Sequence, residues 1–249
     1  MRSGSAIRIA LTGLAILPVA GLLSGCVTTQ QVAARERLVD ARIRASQYPL
    51  RVTGRNPDVR VARLSIVRAR DGTAIVAELH NVSPRPLTDL PVLVGIRTPA
   101  GRKLALNRAA NTDYFDTHVV AIASRDTVTW VFTDQRRLAI AGVPFVEVGT
   151  TQLGQPQVEN LPQIEVKPAP GASAAAGQTR SVSVINLSGI PQYSLPVYAI
   201  ATRRGRVLGA GRATVAHLGT HSRERVLLTL LGSQSGAAVQ LSALPTIFN

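Results

Sequence analysis

The chain of 249 residues carries 28 Lys and Arg against 14 Asp and Glu, a formal charge of +14, with one Trp, four Tyr, four Phe and a single Cys. One cysteine excludes a disulfide framework within the chain and a metal site built from cysteines. So few aromatics leave little for base stacking, and no nucleic-acid partner is read from the basic charge.

The first eight residues, MRSGSAIR, hold Arg2 and Arg8 and no acid, and a short apolar run from Ile9 to Leu23 follows. A basic start, a short apolar run and small residues before a cut form the pattern of a secretory signal peptide. A membrane-spanning helix needs about 20 apolar residues, and this run is shorter and interrupted by Pro18. Leu23-Ser24-Gly25-Cys26 resembles the lipobox of bacterial lipoproteins. The resemblance implies that residues 1–25 are a signal peptide, that Cys26 becomes the acylated mature N-terminus, and that the membrane is a partner through its lipid. Several acyl chains anchor far better than one. Val27, rather than Asp, follows the cysteine. In Gram-negative lipoproteins this implies the outer membrane, with the body facing the periplasm. Loss of residues 1–25 removes two arginines and leaves a charge of +12.

Residues 30–46, QQVAARERLVDARIRAS, contain no Gly or Pro and are expected to form a short helix with Val32, Val39 and Ile43 near one side. It reads as a spacer between anchor and body, or as a basic amphipathic helix lying on the membrane. Pro49, Gly54 and Pro57 then break it, so residues 26–56 form a lipidated segment, helix and linker.

From there the chain repeats itself. NVSPRPLTDLPV (81–92) stands against NLSGIPQYSLPV (186–197), with each matching pair 105 apart. TPAGRKL (98–104) meets TRRGRVL (202–208), and Arg108-Ala109 meets Arg212-Ala213. SRDTV (124–128) aligns with SRERV (222–226), and LAIAGVP (138–144) with VQLSALP (239–245). Two copies of one domain are expected, at 57–150 and 162–249, joined by a linker at 151–161. The segments are short, rich in Val and Ile, and separated by turn residues, and Val128, Trp130 and Phe132 alternate with Thr127, Thr129 and Val131. That period of two, with turns at this spacing, predicts an all-β chain of two tandem immunoglobulin-like β-sandwiches. Gly101 and Gly205 read as hairpin tips with positive φ.

The two Asn-x-Ser turns (Asn81, Asn186) and two Gly-Arg hairpins (Gly101-Arg102, Gly205-Arg206) loosely resemble the Ig-like modules of envelope lipoproteins, including the FxLYD type. The aromatic-Leu-Tyr-Asp signature of that type is not present. The resemblance implies a fold and an envelope location, and names no ligand.

No catalytic constellation, metal site or cofactor motif is read. His80, His118, His217 and His221 lack ligand spacing, and Ser124 and Ser222 have no nucleophile elbow. Two candidate binding features remain. The first copy has six surplus residues around NTDYFD, so Asp113, Tyr114, Phe115 and Asp116 are expected on an acidic, aromatic loop. In the second copy Arg203, Arg204 and Arg206 surround one hairpin tip. Sharing a face with Arg212, Arg223 or Arg225, they would suit an anionic envelope polymer or an acidic protein. The expected function is a lipid-anchored, non-catalytic binding or assembly module. A mechanical spacer is the alternative, and a hydrolase a more distant one.

Overall fold

A computed structural model of the chain describes residues 28–151, 161–170 and 179–248. The leader with Cys26 and nearly all of the expected linker lie outside the described residues.

Helix α1 spans Thr29–Gln47. Thr28 caps it: its Oγ1 accepts from the Gln31 backbone N–H at 3.2 Å, while the Gln31 side chain accepts from the Thr28 N–H at 3.4 Å. This reciprocal pair satisfies two donors that a helix start leaves bare. Tyr48, extended at φ −120° and ψ 140°, ends the helix because the following Pro49 disfavours the helical region.

The remainder is antiparallel β-structure. The first half contains β1 (Val59–Ala69), β2 (Gly72–Asn81), β3 (Leu87–Arg97), β4 (Lys103–Ala105), helix α2 (Tyr114–Thr117), β5 (His118–Ile122), β6 (Thr127–Asp134) and β7 (Val143–Val148). The second contains β8 (Ile164–Pro168), β9 (Thr179–Asn186), β10 (Gln192–Arg203), β11 (Arg206–Leu218), β12 (Arg223–Thr229), β13 (Leu231–Gly232) and β14 (Ala238–Ala243). In the first half β1-β2-β6 form one sheet, and β3 sits between β7 and the pair β4 and β5. In the second, β8-β9-β12 form one sheet and β13-β11-β10-β14 the other. The two halves thus share one strand order.

Registers test the repeat residue by residue. Val59 pairs with Asn81, and Ile164 with Asn186, which keeps the 105-residue spacing. Asn81 and Asn186 are fully buried. Each side-chain oxygen accepts from the N–H two residues on, at 2.9 Å, and each amide donates to carbonyls of a neighbouring loop. The Asn-x-Ser motif is therefore turn chemistry. The hairpin glycines also take the expected conformation, Gly101 at φ 80° and Gly205 at φ 75°.

In two stretches the structural match differs from the match in sequence. The N–H of Asn81 donates to Asp126, and that of Asn186 to Ser222, both at 2.9 Å. Arg125 and His221 both adopt positive φ. Structurally SRDTV therefore lies two residues out of step with SRERV, and Trp130 stands where Val226 does. A slip of two keeps the same side chains on the same face, so the alternation could not reveal it. LAIAGVP mostly precedes β7, whereas VQLSALP begins within β14; the strands themselves match Val148 to Ala243.

The halves are stacked on a shared core. Along β10, Leu195, Val197, Ala199 and Ala201 enter the interior of the second half, whereas Tyr198 and Ile200 join the core of the first. Ala210 and Leu231 join them there. They cover the face of β1-β2-β6 that carries Val67, where a side chain on Gly232 would come within 2.7 Å of Val67 Cγ1. The opposite face carries Trp130, whose indole is fully buried and donates to the Phe115 carbonyl at 3.0 Å. Because β2 and β6 are covered on both sides, Val131 is as buried as Trp130. Trp130→Ala should cost about 3–5 kcal/mol, the usual penalty for removing a large core aromatic; urea denaturation of the variant measures it.

Candidate functional site at the junction of α1 and the two halves

The surplus of the first half is larger than the sequence alignment gives, and it lies inside the molecule. Ala105 to Val119 takes fourteen residue steps where Ala210 to Val215 takes five, so nine residues are inserted. They split into β4 and β5 what is one continuous strand, β11, in the second half. Asn107, fully buried, repairs the ladder where β4 leaves it. Its side-chain oxygen accepts from the Val94 N–H at 2.9 Å, and its amide donates to the Val92 and Asp116 carbonyls, each at 2.7 Å. An amide side chain carries both donor and acceptor, so it can stand in for missing backbone.

The loop thus anchored was expected at the surface. Tyr114 and Phe115 are instead buried, 4% and 1% exposed, and pack with Leu38 of α1, Val120 and Ile247. Burial of the rings on α1 and the C-terminal segment outweighs their display to solvent. The helix docks through Gln31, Ala34, Leu38, Ala41 and Ala45, which leaves Val32, Val39 and Ile43, expected on its apolar side, 44–47% exposed. Arg35 stacks over the Tyr193 ring at 4.5 Å, and Arg42 donates to Ser194 at 2.7 Å, so α1 also grips the second half.

The two acids of the loop meet Arg212 of β11, whose side chain is 10% exposed, at 3.1 Å each. Its guanidinium also lies 5.8 Å from the Phe115 ring centroid. An arginine in this position needs anionic partners, because an unpaired charge out of water is costly. Asp113 and Asp116 thus tie one half to the other, and Arg212 is withdrawn from the basic surface envisaged for the second copy. Arg108, its match in the sequence alignment, is exposed in the insertion.

Arg203, Arg204 and Arg206 are exposed around the tip of the β10–β11 hairpin. Beside them Arg63 of β1 donates to the Gly205 carbonyl. Arg223 and Arg225 belong to the other sheet of the second half, on β12. Arg63 is the neighbour that the sequence missed, since it comes from the other half.

Burial lifts Asp116 from the ordinary carboxylate value of 3.8 to about 6, against the opposing pull of Arg212. Burial likewise lowers His118, whose ring stacks on Tyr114 at 4.7 Å. Burial also raises Tyr114, with help from Asp89, which accepts its hydroxyl at 2.6 Å. Among the described residues, no group of three or more His, Cys, Asp or Glu could hold a metal ion. No helix there is long and apolar enough to cross a membrane. No family model matches the chain, and no curated protein matches its sequence.

The two shifts act oppositely on stability. Asp116, raised on folding, contributes stability that is fully present below about 3.8 and lost as pH rises through about 6. His118, lowered on folding, contributes stability present above 6.5 and lost as pH falls through its depressed value. Asp116→Asn removes the first contribution and keeps the second. Between pH 8 and pH 4 the variant should therefore lose more stability than the parent, by about 1–3 kcal/mol from a shift of this size. Denaturation midpoints across that range measure the difference, and parallel profiles would refute it.

Proposed function

We propose that the chain is a lipid-anchored cell-envelope protein whose body is a non-catalytic binding or assembly module. Under this reading residues 1–25 are a signal peptide, and Cys26 carries the lipid that holds the chain in the membrane, the outer membrane in a Gram-negative host. Each half is an immunoglobulin-like sandwich, a reading supported by a three-stranded β1-β2-β6 sheet opposed to one centred on β3, repeated as β8-β9-β12 and a sheet centred on β10.

The observation that carries the proposal is the position of the cysteine relative to α1. Cys26 stands two residues before Thr28, the cap of a helix docked on both halves. An acyl group there would tether the two stacked halves to the membrane through the start of α1. The arginine tip would be its contact surface for an anionic envelope polymer or an acidic protein, because guanidinium groups form paired hydrogen bonds with phosphate and carboxylate.

Two experiments test this. Cys26→Ser should move the protein from the membrane to the soluble fraction or leave it unprocessed, and mass spectrometry of the native N-terminus should find acylated Cys26. An unmodified cysteine there ends the anchor reading. Changing Arg203, Arg204 and Arg206 together to Ser should weaken binding to isolated envelope material at low salt without unfolding the chain. Binding by the parent should fall steeply with salt, since exposed charges are screened over about 10 Å at 0.1 M. Wild-type binding by the triple variant would remove the tip from the contact surface.

A further inference from the structure

A cleft of about 490 Å³ runs along the seam between the C-terminal end of α1 and the first half. One wall supplies Arg44, Tyr48 and Arg51, and the other Asp89, Tyr114 and His118. Both arginines are exposed, and among the described residues neither guanidinium makes a hydrogen bond or ion pair. Elsewhere along the helix, Arg35 and Arg42 are engaged with the second half. Guanidinium groups without a partner pair readily with a carboxylate or phosphate.

The opposite wall has the reverse polarity. One Asp89 oxygen accepts the Tyr114 hydroxyl at 2.6 Å, and the other receives no hydrogen bond from a described residue. Asp89 itself is held at φ 52°, and its carbonyl accepts from the Thr151 hydroxyl at 3.2 Å. His118 Nδ1 lies 2.9 Å from the Thr117 hydroxyl, which donates to the Tyr114 carbonyl at 3.0 Å. With its proton so placed, Thr117 accepts from Nδ1–H, and the neutral ring keeps Nε2 as an acceptor. Asp89 and His118 thus line the cleft with side chains held by hydrogen bonds, each keeping one atom without a partner among the described residues.

We infer that this cleft binds a small soluble zwitterion, a primary ammonium joined to a carboxylate or phosphate, with the anion on Arg44 and Arg51 and the ammonium on Asp89. A lipid headgroup with the same chemistry is disfavoured by distance if the chain is anchored at Cys26. From Thr29 to Arg44, at 1.5 Å per residue, the cleft stands about 22 Å along the helix from its start. The inference does not depend on the anchor for its binding chemistry.

Calorimetric titration of the detergent-solubilised full chain tests it, with phosphoethanolamine and glycylglycine as probes and inorganic phosphate and ethanolamine as half-probes. The expected result is saturable binding of the zwitterions at least tenfold tighter than either half-probe. Arg44→Ser with Arg51→Ser should abolish it. Asp89→Asn, which tolerates positive φ and still accepts the tyrosine hydroxyl, should reduce zwitterion affinity to that of phosphate alone. Thermal midpoints near the parent's serve as the folding control for both variants. No saturable binding at millimolar concentrations, or binding that survives the double arginine variant, overturns the site. An Asp89→Asn variant that still prefers phosphoethanolamine over phosphate overturns the ammonium assignment. Tighter binding to vesicles containing phosphatidylethanolamine than to free phosphoethanolamine overturns the choice of a soluble ligand. None of these outcomes bears on whether Cys26 is acylated, so failure here and failure of the anchor are read separately.

Discussion

Arg212 sits where one half of the molecule is pressed against the other, and much of the chain is arranged around that placement. On β10 its cross-strand partner is Tyr198, 1% exposed, and close by are Ile200 and Ala210, all turned towards the first half. Burying a large apolar side chain in such a contact is worth about 1.5–3 kcal/mol. A lone guanidinium in the same contact would offset much of that gain, so its compensation has to come from across the interface. Asp113 and Asp116 provide it, and they can do so only because nine inserted residues lift the chain out of its strand. The insertion in turn depends on Asn107 to replace the missing backbone partners. Phe115, carried by the same loop, gives α1 its apolar seat. Helix, insertion and second half are thus mutually dependent.

This dependence explains why Asp116 is poorly accommodated as a carboxylate despite its arginine. Burial weakens ionisation more than the single, shared guanidinium restores it. The remaining oxygen of Asp116, Nη1 of Arg212 and the Tyr198 hydroxyl are all buried without a hydrogen-bond partner among the described residues. The junction is a polar cluster in the middle of an apolar contact, and such clusters are sensitive to any change in one member.

Much of the fold was legible in the chain. The alternation in TVTWVF, the Gly- and Pro-free helical run of residues 30–46, and the Gly101 and Gly205 hairpins each express local backbone preference, and each appears in the fold, the helix extending slightly further at both ends. What escaped detection depends on distant partners. Val131 reads as an outward residue and is buried because the second half covers that face. Val39 and Ile43 read as one apolar side of the helix, yet the helix docks on the body through small alanines and Leu38, which allow closer approach. Asp113 to Asp116 read as a displayed loop because nothing local announces Arg212, a hundred residues away. The cleft beside α1 was invisible for the same reason: Arg44 and Asp89 belong to segments that only the tertiary fold brings together.

The stacking of one half on the other is head to tail, and a contact of that kind has no inherent end. A further chain could in principle add to either free face and so build a fibre. Both free faces differ from the joined one. On the first half's free sheet, Leu93 and Gly95 stand where Tyr198 and Ile200 stand in the second. The Phe145 ring lies down over Gly95, with Lys103 above it and paired to Glu147. On the second half's free sheet, Ser181 occupies the position of Val76, and Arg225 and the Lys167–Glu165 pair share its surface with Leu227. The repeat that builds this protein from one motif thus places apolar residues on the joint between its halves and polar or screened ones at the equivalent outer positions, a contrast of the kind seen between inner and capping units of solenoids.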